Sequence, residues 1–221
     1  MKKVNKQEIV SYYLKSELAR LFEKCEDDNF WREFDNALSR FFREKESEEL
    51  ERLVAGLSSP YRRNPGLYRK IFDKREPSTN LPLELPNESK ECCEWYYVEL
   101  PVDVLKIPNL PEDVMPIVLR VDRDISKFIN WVDKHPDDNR VETFRKVKPL
   151  RYEEILAIYR PNDNDVPSEV EFWIIDGVHR VISMARSRKW IPVYLGVPKR
   201  HVDAWGKRYK DICDMQQEER I

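Results

Sequence analysis

Residues 172–197 read FWIIDGVHRVISMARSRKWIPVYLGV, and this stretch decides the fold. Glu171-Phe172-Trp173-Ile174-Ile175 is a near-continuous apolar run, the pattern of a buried strand. Asp176-Gly177 follows at once, and Gly177 is one of only five glycines in the chain. A strand that ends in Asp-Gly and runs into a helix makes a sharp turn, where glycine lets backbone come close to a ligand. Val181, Met184 and Ala185 give the segment after the turn one apolar helical face. Ile191 to Leu195 reads as a second strand that closes the unit.

The turn is where chemistry is expected. The first N–H groups of the helix, from Val178 to Val181, face one point, and a helix N-terminus is a ready anion site. His179 and Arg180 add donors, and a guanidinium suits bidentate phosphate contact. Ser183 lies one turn further on. Asp176 offers a carboxylate beside that anion, able to hold Mg²⁺ or to orient a nucleophile. The competing reading is purely structural: Asp176 caps the helix and Arg180 is merely solvated.

Outward from this stretch, the pattern divides into two parts. Residues 5–57 read as helix. Ile9, Val10, Tyr13, Leu14, Leu18, Leu21 and Phe22 keep a three-four spacing, and Phe30, Phe34, Leu38, Phe41 and Phe42 repeat it after Asp27-Asp28-Asn29. Leu50, Leu53, Val54 and Leu57 form a shorter third stripe, and a further helix is expected near Pro65–Phe72. The expected organisation is a helical unit over 1–75, a proline-rich linker over 76–94 and a mixed α/β domain over 95–221. In that domain Trp95 to Leu100, Ile117 to Val121 and Ile155 to Tyr159 read as strands. Ile125 to Val132 reads as a short helix, and 160–170 as a turn-rich loop. The fold class is α+β.

The chain has 221 residues, 39 Lys+Arg against 41 Asp+Glu, a net charge of -2 and 11% aromatic residues. That balance excludes a uniformly basic nucleic-acid coat, and the apolar content excludes global disorder. The 36% of charged residues matches the bias of proteins from hyperthermophiles. No run of 18 apolar residues occurs, and MKKVNKQEIV lacks the apolar core of a signal peptide, so a cytoplasmic protein is expected. Cys25, Cys92, Cys93 and Cys213 have no zinc-ligand spacing and read as reduced thiols. His135 sits in a turn and His201 on a basic surface, and no two histidines have metal-ligand spacing.

Asp176-Gly-Val-His-Arg180, a helix, then Ile191-Pro-Val193 resembles the ParB/sulfiredoxin fold, over roughly 95–197 from YYVELPVDVL onward. Within that superfamily sulfiredoxins need a cysteine immediately before His-Arg, and Val178 stands there. Partition proteins carry a Glu-Arg-Arg-like loop and a helix-turn-helix domain, whereas 24 residues follow Val197 here. The turn is most similar to the free serine kinase branch, which carries Asp-Gly-x-His-Arg after an apolar strand. The resemblance implies transfer of a phosphoryl group from ATP or ADP, with Mg²⁺, to a small hydroxyl compound such as free L-serine. Gly177, Val178, His179, Arg180 and Ser183 would hold phosphates, and Asp176 would bind Mg²⁺ or help deprotonate the acceptor. Glu112 is the candidate for the branch's catalytic glutamate, later in the chain than the family spacing puts it, and Glu153-Glu154 is a second candidate.

A different class competes. Residues 180–210 hold nine basic residues against the single acid Asp203. Arg186, Arg188, Lys189, Lys199, Arg200, Lys207 and Arg208, interleaved with Trp190, Tyr194, Trp205 and Tyr209, form a candidate nucleic-acid surface for a DNA-binding protein or nuclease. Alternatively these charges pair with acids of the protein and the aromatics fill its core.

Overall fold

The computed structural model describes residues 1–20, 27–43, 93–108, 110–145, 151–159, 161 and 171–218. The chain divides into two compact units, residues 5–90 and residues 1–4 with 91–221.

In the first unit, α1 (Lys6–Arg20) and α2 (Asp28–Arg43) are the described elements. Asn5 Oδ1 accepts from the Glu8 N–H at 2.7 Å, and Asp27 Oδ1 from the Asn29 N–H at 2.9 Å. Short polar side chains here satisfy helix donors that no carbonyl reaches. Ile9, Tyr13, Phe34 and Leu38 of the expected stripes are buried, and so are Tyr12 and Trp31, which the stripes did not include. Lys15 Nζ donates to Ser39 Oγ at 3.1 Å, joining the two helices. The third stripe, the helix near Pro65–Phe72, the linker up to Glu91 and the loop at 162–170 lie outside the described residues.

The second unit is mixed α/β. Its strands are β1 (Lys2–Val4), β2 (Cys93–Pro101), β3 (Leu105–Lys106), β4 (Ile155–Tyr159), β5 (Phe172–Asp176) and β6 (Trp190–Pro198). Its helices are α3 (Met115–Arg120), α4 (Ile125–Lys134), α5 (Glu142–Arg145), α6 (Val178–Ala185) and α7 (Val202–Glu218). The sheet order is β1-β2-β6-β4-β5-β3. β4/β6 and β3/β5 are parallel, and the other pairs are antiparallel. Only Val102–Val104 separate β2 from β3, which lie four places apart in that order. Four residue steps reach about 14 Å. Four flat strand spacings need about 19 Å. The sheet must therefore coil strongly, which brings its far edge round toward the end of β2.

The two inner strands are the most apolar. β4 is buried at all five positions, and β6 from Ile191 to Pro198, because these two lie at the centre of the sheet. β5 buries Phe172 and Ile174 and leaves Trp173, Ile175 and Asp176 half-buried. Trp173 carries the Arg123 guanidinium 5.6 Å from its ring centroid. α7 packs against β2 and β6 through Trp205, which is 1% exposed and sits 5.4 Å from Tyr159 and 6.0 Å from Phe172, centroid to centroid.

Three expectations are corrected. Residues 117–121 are no strand. Pro116 opens helix α3, and Ile117, Val118 and Val121 are buried at helical spacing. The N-terminal unit does not begin at residue 1, because Lys2–Val4 pair with Trp95–Tyr97 in the sheet. A strand this short shows no periodicity of its own. The linker ends sooner than expected, because Cys93 and Glu94 already pair with Pro198 and Val197.

Candidate functional site

β5 delivers Asp176 at its C-terminal end, and α6 begins two residues later. Between them Gly177 is the N-cap of α6, at φ +97° and ψ +24°. Only glycine takes such a backbone without strain. A Cβ there would lie 2.8 Å from Ile155 Cγ2 and 3.0 Å from Arg180 Nε, so the turn is closed by packing as well. The Arg180 side chain folds back over the glycine to the Asp176 carboxylate, forming an ion pair one helical turn long. Both side chains are largely buried, at 10% and 15% exposure.

Of the structural alternative, the solvated arginine is not what the turn shows: Arg180 is buried. The N-cap residue itself, Gly177, has no side chain with which to cap α6. The first hydrogen bond of the helix runs from the Val181 N–H to the Gly177 carbonyl at 2.9 Å. The N–H groups of Val178, His179 and Arg180 therefore precede the intrahelical ladder and point past the glycine, at the positive end of the helix dipole. His179 is exposed, and its ring lies parallel to Phe144 with centroids 4.3 Å apart and 5° between planes. Ser183 is half-buried one turn further along. Arg186, the C-cap of α6, donates to both Asp133 carboxylate oxygens at 2.9 and 2.8 Å and to the Phe144 carbonyl at 3.3 Å.

Asp176, Gly177, Val178, His179 and Arg180 are thus brought together, as the sequence implied. Glu112 is placed apart. It is exposed in the turn before α3, and no ion pair or hydrogen bond among the described residues joins it to Asp176 or Arg180. Its loop follows β3, and β3 runs parallel to β5, so both leave the sheet at the same end. Glu153 is held by Arg188 at 2.8 Å, and that hydrogen bond keeps its carboxyl below the usual range.

The arginines of the basic segment are partly neutralised. Besides Arg180, Arg186 pairs with Asp133, Arg188 with Glu153 and Arg208 with Glu171. Every one of these acids lies in the same unit rather than in the helical one. Trp205 and Tyr194 are buried, and Trp190 and Tyr209 are half-buried against the core. Lys189, Lys199, Arg200 and Lys207 are exposed. His135 stacks on Trp131 at 4.0 Å and His201 meets Tyr159 edge-on at 6.5 Å.

Sequence reasoning missed Phe144, Asp133 and the clamp that Arg186 makes with them. Phe144 lies on a single helical turn with no periodicity to announce it. Among the described residues, no group of three or more His, Cys, Asp or Glu side chains could hold a metal ion, and no helix is long and apolar enough to cross a membrane. Comparison with protein-family models, curated proteins and solved structures finds no match.

Proposed function

We propose that this chain is a nucleotide-dependent phosphotransferase that holds the phosphates of ATP or ADP at the Asp176–Arg180 turn and phosphorylates a small hydroxyl compound. The observation that carries the reading is a helix N-terminus whose cap residue is a glycine at φ +97°, flanked by a buried arginine. Main-chain N–H groups of 178–180 would cradle phosphate oxygens, and His179 and Arg180 would neutralise charge beside them. Such positioning and neutralisation supply most of the catalysis in phosphoryl transfer. The resemblance of this turn to the free serine kinase branch of the ParB/sulfiredoxin fold supports the same reading.

Asp176 suits a magnesium ion carried in on a nucleotide, which needs one or two carboxylates rather than a protein cage. With Asp176 as its protein ligand, Mg²⁺ would supply neutralisation of the charge that develops on the phosphates. The phosphoryl group would pass to the acceptor oxygen, the hydroxyl proton to a carboxylate, and the nucleoside diphosphate or monophosphate would leave. Glu112 is the candidate for that carboxylate, on a loop leaving the sheet at the end where Asp176 lies.

Calorimetric titration of wild type and His179→Ala with ATP and with ADP in Mg²⁺ tests the reading. Binding to wild type that weakens at least tenfold in the variant is the expected result. Phosphorus NMR against a panel of hydroxyl compounds, starting with L-serine, then looks for product. No nucleotide binding to wild type overturns the proposal and brings the DNA-binding reading forward.

A further inference from the structure

We infer that Phe144 is the positioning residue for the His179 imidazole, and that Arg186 fixes Phe144 for this task; the inference rests on the reading of the α6 N-terminus as a phosphate site. His179 is the second residue of α6, exposed in the first turn, whose N–H groups precede the intrahelical ladder. An exposed imidazole there is ordinarily free to turn among its rotamers, and an anion that uses it must freeze it. Here one ring face is already spoken for. Phe144 lies parallel beneath it at 4.3 Å, within van der Waals stacking reach.

Phe144 is itself held at its ring and at its main chain. Its ring meets Phe128 edge-on at 5.3 Å, 87° between planes, and Phe128 is fully buried. Its carbonyl accepts from Arg186 Nη2 at 3.3 Å. Arg186 is in turn anchored on Asp133 near the end of α4. His179 and Arg186 lie seven residues apart, about two turns, and so project from one face of α6. The helix grips the same residue twice, by its ring near the N-terminus and by its main chain near the C-terminus. A core filler needs only the contact with Phe128. That contact fills the core, whereas the parallel stack and the guanidinium clamp also fix the direction of His179.

The test is a double-mutant cycle on Phe144→Leu and His179→Ala, with MgADP as probe and Phe144→Tyr as the conservative variant. Leucine keeps an apolar filler beside Phe128 and removes the aromatic face; tyrosine keeps the face. Proton NMR of the ligand-free protein reads the ring-current shift of the His179 imidazole. The expected results are loss of that shift and a three- to tenfold weaker MgADP affinity in Phe144→Leu, with both within twofold of wild type in Phe144→Tyr. Phe144→Leu should then cost less than twofold more in the His179→Ala background. Wild-type ADP affinity in Phe144→Leu, or a full and additive loss on Phe144→Leu in that background, overturns the inference and leaves the phosphate site standing. Equal losses in the Leu and Tyr variants overturn it too. No ADP binding to wild type overturns the phosphate site, and the inference with it. Arg186→Gln provides a variant outside the aromatic core, and it should lower affinity in the same direction without touching either ring.

Discussion

Gly177→Ala perturbs the turn at its tightest point. Two costs add. A non-glycine residue held in the left-handed region costs about 1–2 kcal/mol. The new Cβ would also sit 2.8 Å from Ile155 Cγ2, and Ile155 is fully buried in β4, so its methyl has nowhere to retreat. Overpacking of a dense core costs about 1–3 kcal/mol. The expected loss is about 2–5 kcal/mol. At a urea slope of about 2 kcal/mol/M this lowers the unfolding midpoint by about 1–2.5 M. Urea titration followed by circular dichroism measures it. Gly177→Asn separates the two costs, because asparagine tolerates the left-handed region but still carries the Cβ; it should lose only the packing part. ADP affinity should fall with either variant, since the same Cβ lies 3.0 Å from Arg180 Nε and pushes the guanidinium off its seat. A loss below about 1 kcal/mol for Gly177→Ala would refute the reasoning, because neither the positive φ nor the Ile155 contact could then hold.

Gly206→Ala is the opposite case: Gly206 lies inside α7 and a Cβ there meets nothing within 4 Å, so alanine should raise stability by about 1 kcal/mol in the same urea titration. Burial and the hydrogen bond to Glu94 push the Tyr96 hydroxyl up to about 12, so the folded chain keeps a proton that the unfolded chain loses near 10, and stability should decline as pH rises from about 10 through about 12. Tyr96→Phe should flatten part of that decline in melting curves taken across the range, with the rest shared by Tyr209, also raised to about 12, and by Tyr97 and Tyr159, which burial raises as well; an unchanged slope would sink the assignment. Chelating magnesium should weaken ADP binding in wild type, because Asp176 then faces bare phosphate, and Asp176→Asn should bind magnesium-free ADP more tightly than wild type; at about 5 Å and an effective dielectric near 20 the repulsion is about 3 kcal/mol before Arg180 offsets it. Calorimetry with and without a chelator decides, and no magnesium effect in either protein would place Asp176 away from the phosphates.

The strands that carry the fold were legible because they are central. β6 and β4 read as apolar runs in the chain since both faces and both edges are covered. Edge elements were not legible. β1 and β3 have 3 and 2 residues and exist through their partners rather than through any pattern of their own. The segment 117–121 shows why a short apolar run is ambiguous: Ile-Val-Leu fits a strand as well as a helix, and Pro116 was the clue that decided it. At the site, Asp-Gly after an apolar run announced the turn, and the glycine's positive φ follows from it. The direction of Arg180 was not legible, because a guanidinium three residues into a helix can reach outward or backward. It turns back because Gly177 leaves room and Asp176 offers charge. Phe144 was invisible for a different reason, since its partner in the stack lies 35 residues away in the chain.

The ion pairs of the basic segment bear on which anion the unit suits. Arg180, Arg186, Arg188 and Arg208 each hold a carboxylate of their own unit. A polyanion that recruits them must break those pairs, and the counterion release that drives nucleic-acid binding shrinks with every arginine already neutralised. A phosphate at α6 makes no such demand. The N–H groups of Val178, His179 and Arg180 belong to the main chain and are aimed by the helix itself. Asp176 and Arg180 can stay joined while an anion binds in front of them, and the pair then does two things at once: it locks the glycine turn and keeps a carboxylate at the edge of the site. A small phosphate ligand therefore asks less rearrangement of this unit than a nucleic-acid backbone does, which is the physical ground for putting the phosphotransferase reading first.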